Sequence, residues 1–130
     1  MKIILFVCVH NAGRSQMAAG FLNALNSTKL IAVSAGTIPS AQVNPIVVQA
    51  MREKGIDISK AIPKIITQEI ADKAHQIITM GCSIEETCPS TFLVTEDWGL
   101  DDPAGQPLEK VRAIRDQVEL KVTELIDRER

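Results

Sequence analysis

Cys8 and Arg14 are separated by five residues, and Ser15 follows the arginine directly. A thiolate is a nucleophile, and a planar guanidinium can grip two oxygens of an oxyanion at once. Between them, Val9, His10, Asn11, Ala12 and Gly13 form a loop long enough to curl its backbone N–H groups inward. The free amides at the start of a following helix would join them, Ser15 included, as a cradle for a tetrahedral anion. Asn11 suits a left-handed backbone, and Gly13 tolerates a tight approach. Ser15 is placed either to hydrogen-bond the Cys8 sulfur or to cap the helix. An ordinary thiol, with a pKa of about 8.5, is only slightly ionised at neutral pH. Inward amides, a helix dipole and Arg14 would all favour the thiolate. The chemistry implied is attack of sulfur on a bound anion.

The flanking residues supply the elements this site needs. Ile3-Ile4-Leu5-Phe6-Val7 is a short β-branched apolar run and predicts a buried strand ending near Cys8. Met17, Ala18, Phe21, Leu22 and Leu25 recur at helical spacing after Arg14. Leu30-Ile31-Ala32-Val33-Ser34 reads as a second strand, ended by Ala35-Gly36. Asn44 and Pro45 are a cap and a first helical residue for a helix that stops at Gly55. Thr67 caps a short helix before the strand Gln76-Ile77-Ile78-Thr79, and a weaker strand is expected over 91–94. Pro107 opens the longest helix, with Leu108, Val111, Ile114, Val118, Val122 and Leu125 as its apolar stripe. Alternating strands and helices imply an α/β sandwich of three layers around a four-stranded parallel sheet. The cradle is then expected at the carboxyl edge of that sheet.

Composition narrows the partners. The chain of 130 residues is expected to form one domain, and its net charge of −2 gives no electrostatic case for nucleic acid or an anionic membrane. With no Tyr and one Trp, it offers no base-stacking surface. No signal-like segment precedes the first strand and no apolar run reaches membrane-spanning length, so a cytoplasmic location is expected. Three cysteines, an odd number, point to a reducing compartment rather than a disulfide framework.

Two further constellations follow. Cys82 and Cys88 lie just past the third strand, in a loop expected to leave the same sheet edge as the cradle. A zinc site would need about four ligands. Only His10 and His75 could add to the cysteines, and they are not spaced as a pair. A redox dithiol fits the pair of cysteines better. Near the last helix, Trp98-Gly99-Leu100-Asp101-Asp102-Pro103-Ala104-Gly105 could supply a general acid, with Asp102 held extended by Pro103.

With these segments in view, the chain resembles the low-molecular-weight tyrosine phosphatase superfamily, and within it the arsenate reductases of that fold. The resemblance runs along essentially the whole chain. It rests on Phe6 through Ala18, Val33-Ser34-Ala35-Gly36, Asn44-Pro45 and Asp101-Asp102-Pro103-Ala104-Gly105. It implies Cys8 as nucleophile, Arg14 as anion clamp, Asp102 as general acid, and Cys82 and Cys88 as thiols that carry the oxidation outward. Tyrosine phosphatases of this fold place an aromatic residue after Asp-Pro, where Ala104 stands here. In the familiar thioredoxin-coupled reductases the redox cysteines are six residues apart without a preceding glycine. Here five residues separate them and Gly81 precedes. Some members hold a potassium ion near the loop asparagine through a threonine and an aspartate. Ile62 and Lys64 occupy the matching positions, so a lysine charge is expected in its place and no metal.

The function expected is reduction of arsenate to arsenite for arsenic detoxification. It would proceed through a thiol–arsenate adduct on Cys8, then a Cys8–Cys82 and a Cys82–Cys88 disulfide. The partners expected are the arsenate oxyanion and thioredoxin or another external thiol, with the protein a monomer and no cofactor. The alternatives are a phosphomonoesterase using Cys8, Arg14 and Asp102, and a non-catalytic arsenical or anion sensor.

Overall fold

The computed structural model describes residues 2–25, 29–81 and 96–129. In chain order the elements are β1 (Lys2–Cys8), α1 (Arg14–Leu25), β2 (Leu30–Gly36), α2 (Pro45–Arg52), α3 (Gln68–Lys73), β3 (Gln76–Thr79), β4 (Glu96–Asp97) and α4 (Leu108–Arg128). The strands pair in the order β2-β1-β3-β4, and all pairings are parallel. From β1 the chain crosses first to β2 on one side and later to β3 on the other. That reversal opens a crevice at the carboxyl end of β1, where open α/β sheets bind their ligands.

Alternation along β1 sends its side chains to two cores. Ile4, Phe6 and Cys8 face a large apolar cluster filled by α1, α2 and α4, including Met17, Leu22, Val47, Met51, Ile114 and Val118. Leu5 and Val7 face a smaller cluster with Ala35, Ile77 and Ala71 of α3. The sheet is thus covered on both faces, unevenly. Phe6 also packs against Trp98 with ring centroids 5.4 Å apart, a contact worth about 0.5–1.5 kcal/mol beyond burial.

The capping signals act as read. Asn44 accepts the Ile46 N–H at 3.0 Å ahead of Pro45, and Thr67 accepts the Ile70 N–H at 3.2 Å. Val111, Ile114, Val118, Val122 and Leu125 of α4 are buried, and Leu108 packs at the edge of the same core. Some boundaries move, and β1 gains Lys2 and Cys8 at its ends. β2 continues through Gly36, because parallel pairing with Cys8 holds it in the sheet. α2 ends at Arg52, and Gly55 (φ 76°) completes the turn beyond it. The strand expected over 91–94 lies outside the described residues, and the fourth described strand is Glu96–Asp97. Buried Arg115 on the apolar side of α4 was not anticipated. Its guanidinium reaches the Ala50 carbonyl at 3.0 Å and Glu53 at 2.7 Å, joining α4 to the end of α2. No helix among the described residues is long and apolar enough to cross a membrane.

Candidate active site

Between Cys8 and Arg14, consecutive carbonyls are drawn outward. Val9 O accepts from Ile38 N at 2.8 Å, His10 O from Ser40 N at 2.9 Å and Ala12 O from Asn44 N at 2.9 Å. Asn11 O accepts from Gln16 Nε2 at 3.1 Å, and Gly13 O from Met17 N at 2.9 Å. The chain contains no cis peptide among the described residues. In a trans peptide the N–H points opposite to the carbonyl, so outward carbonyls at 9–13 turn the amides of residues 10–14 inward. Asn11 turns the chain with φ 51°, as its side-chain type allows. Gly36 makes room for the loop: a Cβ there would lie 2.6 Å from Val9 O and 2.9 Å from Asn11 N.

The Cys8 sulfur lies at the floor, only 5 % exposed. Asn11 N donates to it at 3.2 Å, and Ser15 Oγ stands 2.9 Å away. Ser15 therefore takes the first of its two expected roles. Its oxygen also accepts Asn11 Nδ2 at 2.7 Å, and its proton can serve the sulfur when Cys8 is ionised. The amide orientation is fixed by one backbone and one side-chain donor: Lys64 N donates to Asn11 Oδ1 at 3.0 Å, as does Gln16 Nε2 at 3.2 Å. Contrary to expectation, Lys64 approaches Asn11 through its peptide N–H. Its side chain is exposed.

Arg14 is 5 % exposed and caged from far along the chain. Its Nη1 donates to the carbonyls of Met80 at 3.0 Å, Gly81 at 3.2 Å and Leu100 at 2.9 Å. Among the described residues no hydrogen bond engages Nη2 or Nε, although Nη2 lies 3.9 Å from Asp102 Oδ2, so both can serve an anion. Gly81 is required here. Its φ is 105°, and a Cβ would press on the Leu100 backbone and sit 3.1 Å from Arg14 Nη1.

Asp102 faces the same cleft, with Oδ2 3.9 Å from Arg14 Nη2 and about half its side chain exposed. Its Oδ1 accepts the Ala104 N–H at 3.0 Å. Neighbouring Asp101 is otherwise engaged. A 2.8 Å hydrogen bond and ion pair with Lys110, and then the field of Arg14, hold its carboxyl below the usual range. Of the two acids, Asp102 is the one that lines the cleft. Gly13 lets that loop close down, since a Cβ on it would lie 2.7 Å from Pro103 Cγ.

The cleft above Cys8 encloses about 270 Å³. His10, Ala12, Gly13, Arg14, Asp102 and Ala104 line it, as do Ser40, Gln42 and Val43, which the sequence did not single out. His10 is tethered through Nδ1 to the Ile38 carbonyl at 3.0 Å. No Phe, Tyr or Trp lines the cleft among the described residues. Cys82 and Cys88 lie outside the described residues. The Met80, Gly81 and Leu100 carbonyls were also missed, because any residue type can offer one. Gly81 was the available signal, and its importance shows only when Leu100 is beside it.

A thiol under hydrogen-bond donors, an inward ring of amides, a fixed guanidinium and a nearby carboxyl can bind a tetrahedral oxyanion, attack its centre and protonate a departing oxygen. Comparison with known proteins agrees. A Synechocystis protein named glutaredoxin arsenate reductase is 39 % identical over 130 residues, covering 97 % of each chain. A Staphylococcus aureus arsenate reductase is 36 % identical over 123 residues, covering 93 % of each. A solved structure described as an arsenate reductase in the phosphate binding state superposes with a TM-score of 0.86, at 39 % identity and 98 % coverage of each chain. Residues 3–129 match the low molecular weight phosphotyrosine protein phosphatase family. With the cradle, the fold and the relatives in agreement, the chain belongs to that family.

Proposed function

We propose that this protein reduces arsenate to arsenite with electrons from an external thiol. The observation that carries the reading is the outward set of carbonyls at 9–13 above the Cys8 sulfur, in a chain whose relatives are named arsenate reductases. Arsenate sits against the amides of residues 10–14, with Arg14 holding its oxygens. The Cys8 thiolate attacks arsenic, and Asp102 gives its proton to the departing oxygen, which leaves as water. Cys82, as thiolate, attacks the Cys8 sulfur. The S–As electron pair stays on arsenic, so arsenic gains two electrons and one disulfide forms. Cys88 then attacks Cys82, freeing Cys8 and moving the disulfide to Cys82–Cys88. An external dithiol, thioredoxin first among the candidates, restores the pair. We place this reaction in the cytoplasm, where such donors reside.

A second reading is hydrolysis of phosphate monoesters. The family supports it, since Cys8, Arg14 and Asp102 are all that it requires. The absence of Phe, Tyr and Trp among the described lining residues, with Ala104 after Pro103, favours a small inorganic anion over an aryl ester.

One comparison separates the readings. Change Cys82 and Cys88 together to Ser, then measure arsenate-dependent consumption of reductant and hydrolysis of p-nitrophenyl phosphate. Under the reductase reading, reduction is abolished while weak hydrolysis persists. A double variant that reduces arsenate like wild type would refute it. Tight binding of arsenite without turnover of either substrate in the wild type would identify a sensor instead.

A further inference from the structure

Asp97 makes no hydrogen bond to Cys8, Arg14 or Asp102 among the described residues, yet three donors from two segments converge on it. Its Oδ1 accepts the Thr79 hydroxyl at 2.6 Å and the Gly81 N–H at 2.8 Å. Its Oδ2 accepts the Gly99 N–H at 3.1 Å. Gly81 gives its N–H to Asp97 and its carbonyl to Arg14, and Leu100, next after Gly99, also gives its carbonyl to Arg14. The carboxylate thus ties the end of β3 to the segment that leads into Asp102.

We propose that Asp97 is the positioning residue of the anion clamp, holding the carbonyl cage that orients Arg14. A carboxylate suits this task because it only accepts hydrogen bonds, and all three groups facing it can donate. Arg14 is long and unbranched, and burial alone does not choose which nitrogen faces the cradle. The cage does, by taking Nη1. The cage in turn is built from the carbonyls of two peptide segments, which Asp97 joins. Loosening Asp97 lets the Met80, Gly81 and Leu100 carbonyls drift relative to one another, and Nη2 and Nε lose their fixed aim. Asparagine at 97 cannot replace the carboxylate. Its NH2 must face either the Gly99 N–H or the pair from Thr79 and Gly81, and an N–H facing an N–H is repulsive. The proposal rests on residues 8–15 acting as an anion cradle.

The test uses inorganic phosphate as the probe, since its binding needs the clamp but no redox chemistry. Dissociation constants of the reduced protein are measured by calorimetry for wild type, Asp97→Asn, Thr79→Val and Arg14→Lys, and for Asp97→Asn combined with Arg14→Lys. Asp97→Asn should weaken phosphate about tenfold, and Thr79→Val, which removes one donor, about threefold. In arsenate turnover the Asp97→Asn defect should lower kcat as well as raise KM, about tenfold or more in kcat/KM, since Arg14 holds the anion both as bound and as it reacts. On the Arg14→Lys background, Asp97→Asn should add less than about twofold, because residues acting through one group are not additive. Should Asp97→Asn fail to fold, Thr79→Val alone and on the Arg14→Lys background decides the matter by the same criteria. Wild-type phosphate affinity in Asp97→Asn, or a full loss that persists beside Arg14→Lys, overturns the proposal. If wild type itself fails to bind phosphate, the cradle reading and the proposal fall together. If phosphate behaves as expected but arsenate is not reduced, the role of Asp97 stands and the substrate assignment falls.

Discussion

Ser15 Oγ lies 2.9 Å from the Cys8 sulfur while accepting a 2.7 Å hydrogen bond from Asn11 Nδ2. One acceptor position of the hydroxyl is thereby occupied, and toward a thiolate, which only accepts, its proton would turn to the sulfur. Upstream, Lys64 N and Gln16 Nε2 hold the Asn11 amide in the orientation that makes this possible. The Cys8 sulfur therefore sits beside a hydroxyl that is itself held through Asn11.

Ser15→Ala should therefore leave a folded protein that turns over slowly. One donor to the sulfur is lost while the Asn11 N–H remains, and a hydrogen bond to a charged group is worth about 1.5–3 kcal/mol. Single-turnover release of arsenite should slow roughly tenfold to a hundredfold. Wild-type rates would show that the hydroxyl does not support the thiolate.

Arg14→Lys removes the fork as well as the bonds to three carbonyls. A lysine ammonium is a point charge that cannot both satisfy the cage and grip two oxygens. Loss of a charge-stabilising donor of this kind typically lowers turnover by about 10²–10³-fold. Steady-state arsenate kinetics with a thiol donor would measure it, and a fully active variant contradicts the clamp.

The order of the cysteines can be read directly. Reduced protein mixed with excess arsenate and no external reductant should release about one arsenite per chain and end as Cys82–Cys88, from the electron count. Cys88→Ser should stop at Cys8–Cys82 after the same single turnover, and Cys82→Ser should release little arsenite. Peptide mass spectrometry identifies the disulfides. Three free thiols remaining after arsenite release would contradict the cascade.

Potassium and sodium should be interchangeable. Two N–H donors already point at Asn11 Oδ1, from Lys64 N at 3.0 Å and Gln16 Nε2 at 3.2 Å. A cation placed there would face both. Arsenate turnover at fixed ionic strength should agree within about twofold between the two chlorides, a difference of less than about 0.5 kcal/mol. A marked potassium activation would show that Asn11 has another arrangement in solution.

Glu53 governs an acid-labile joint between α2 and α4. Hydrogen bonds from Arg112 and then Arg115 lower its pKa from 4.5 to about 2. A carboxyl depressed by folding contributes its full stability above its unfolded pKa and loses it as pH falls through the folded one. The difference in melting temperature between wild type and Glu53→Gln should hold from neutral pH down to about 5.5, then shrink below 4.5 and vanish near 2. A difference that does not vary with pH would assign the effect to packing.

Much of this protein is local, and the sequence by itself determined that part. β-branched runs, Asn44-Pro45, Thr67 and the stripe on α4 act within a few residues, so the alternation of strands and helices was readable. So was the meeting of Cys8, Asn11, Ser15 and Arg14, which lie within one turn of chain on a strand–loop–helix. Tertiary structure decided the rest. Strand order brought Gly36 beside Cys8, so the need for glycine there became visible only with Val9 and Asn11 folded over it. Arg14 is oriented by carbonyls 66 to 86 residues away, and backbone carbonyls leave no mark on residue type. Asp97 looked like an ordinary charged residue until Thr79, Gly81 and Gly99 surrounded it. The physical reason is range. Side-chain type and spacing encode contacts along the chain, whereas the carbonyl partners of Arg14 are brought together only by the parallel register of β1, β3 and β4.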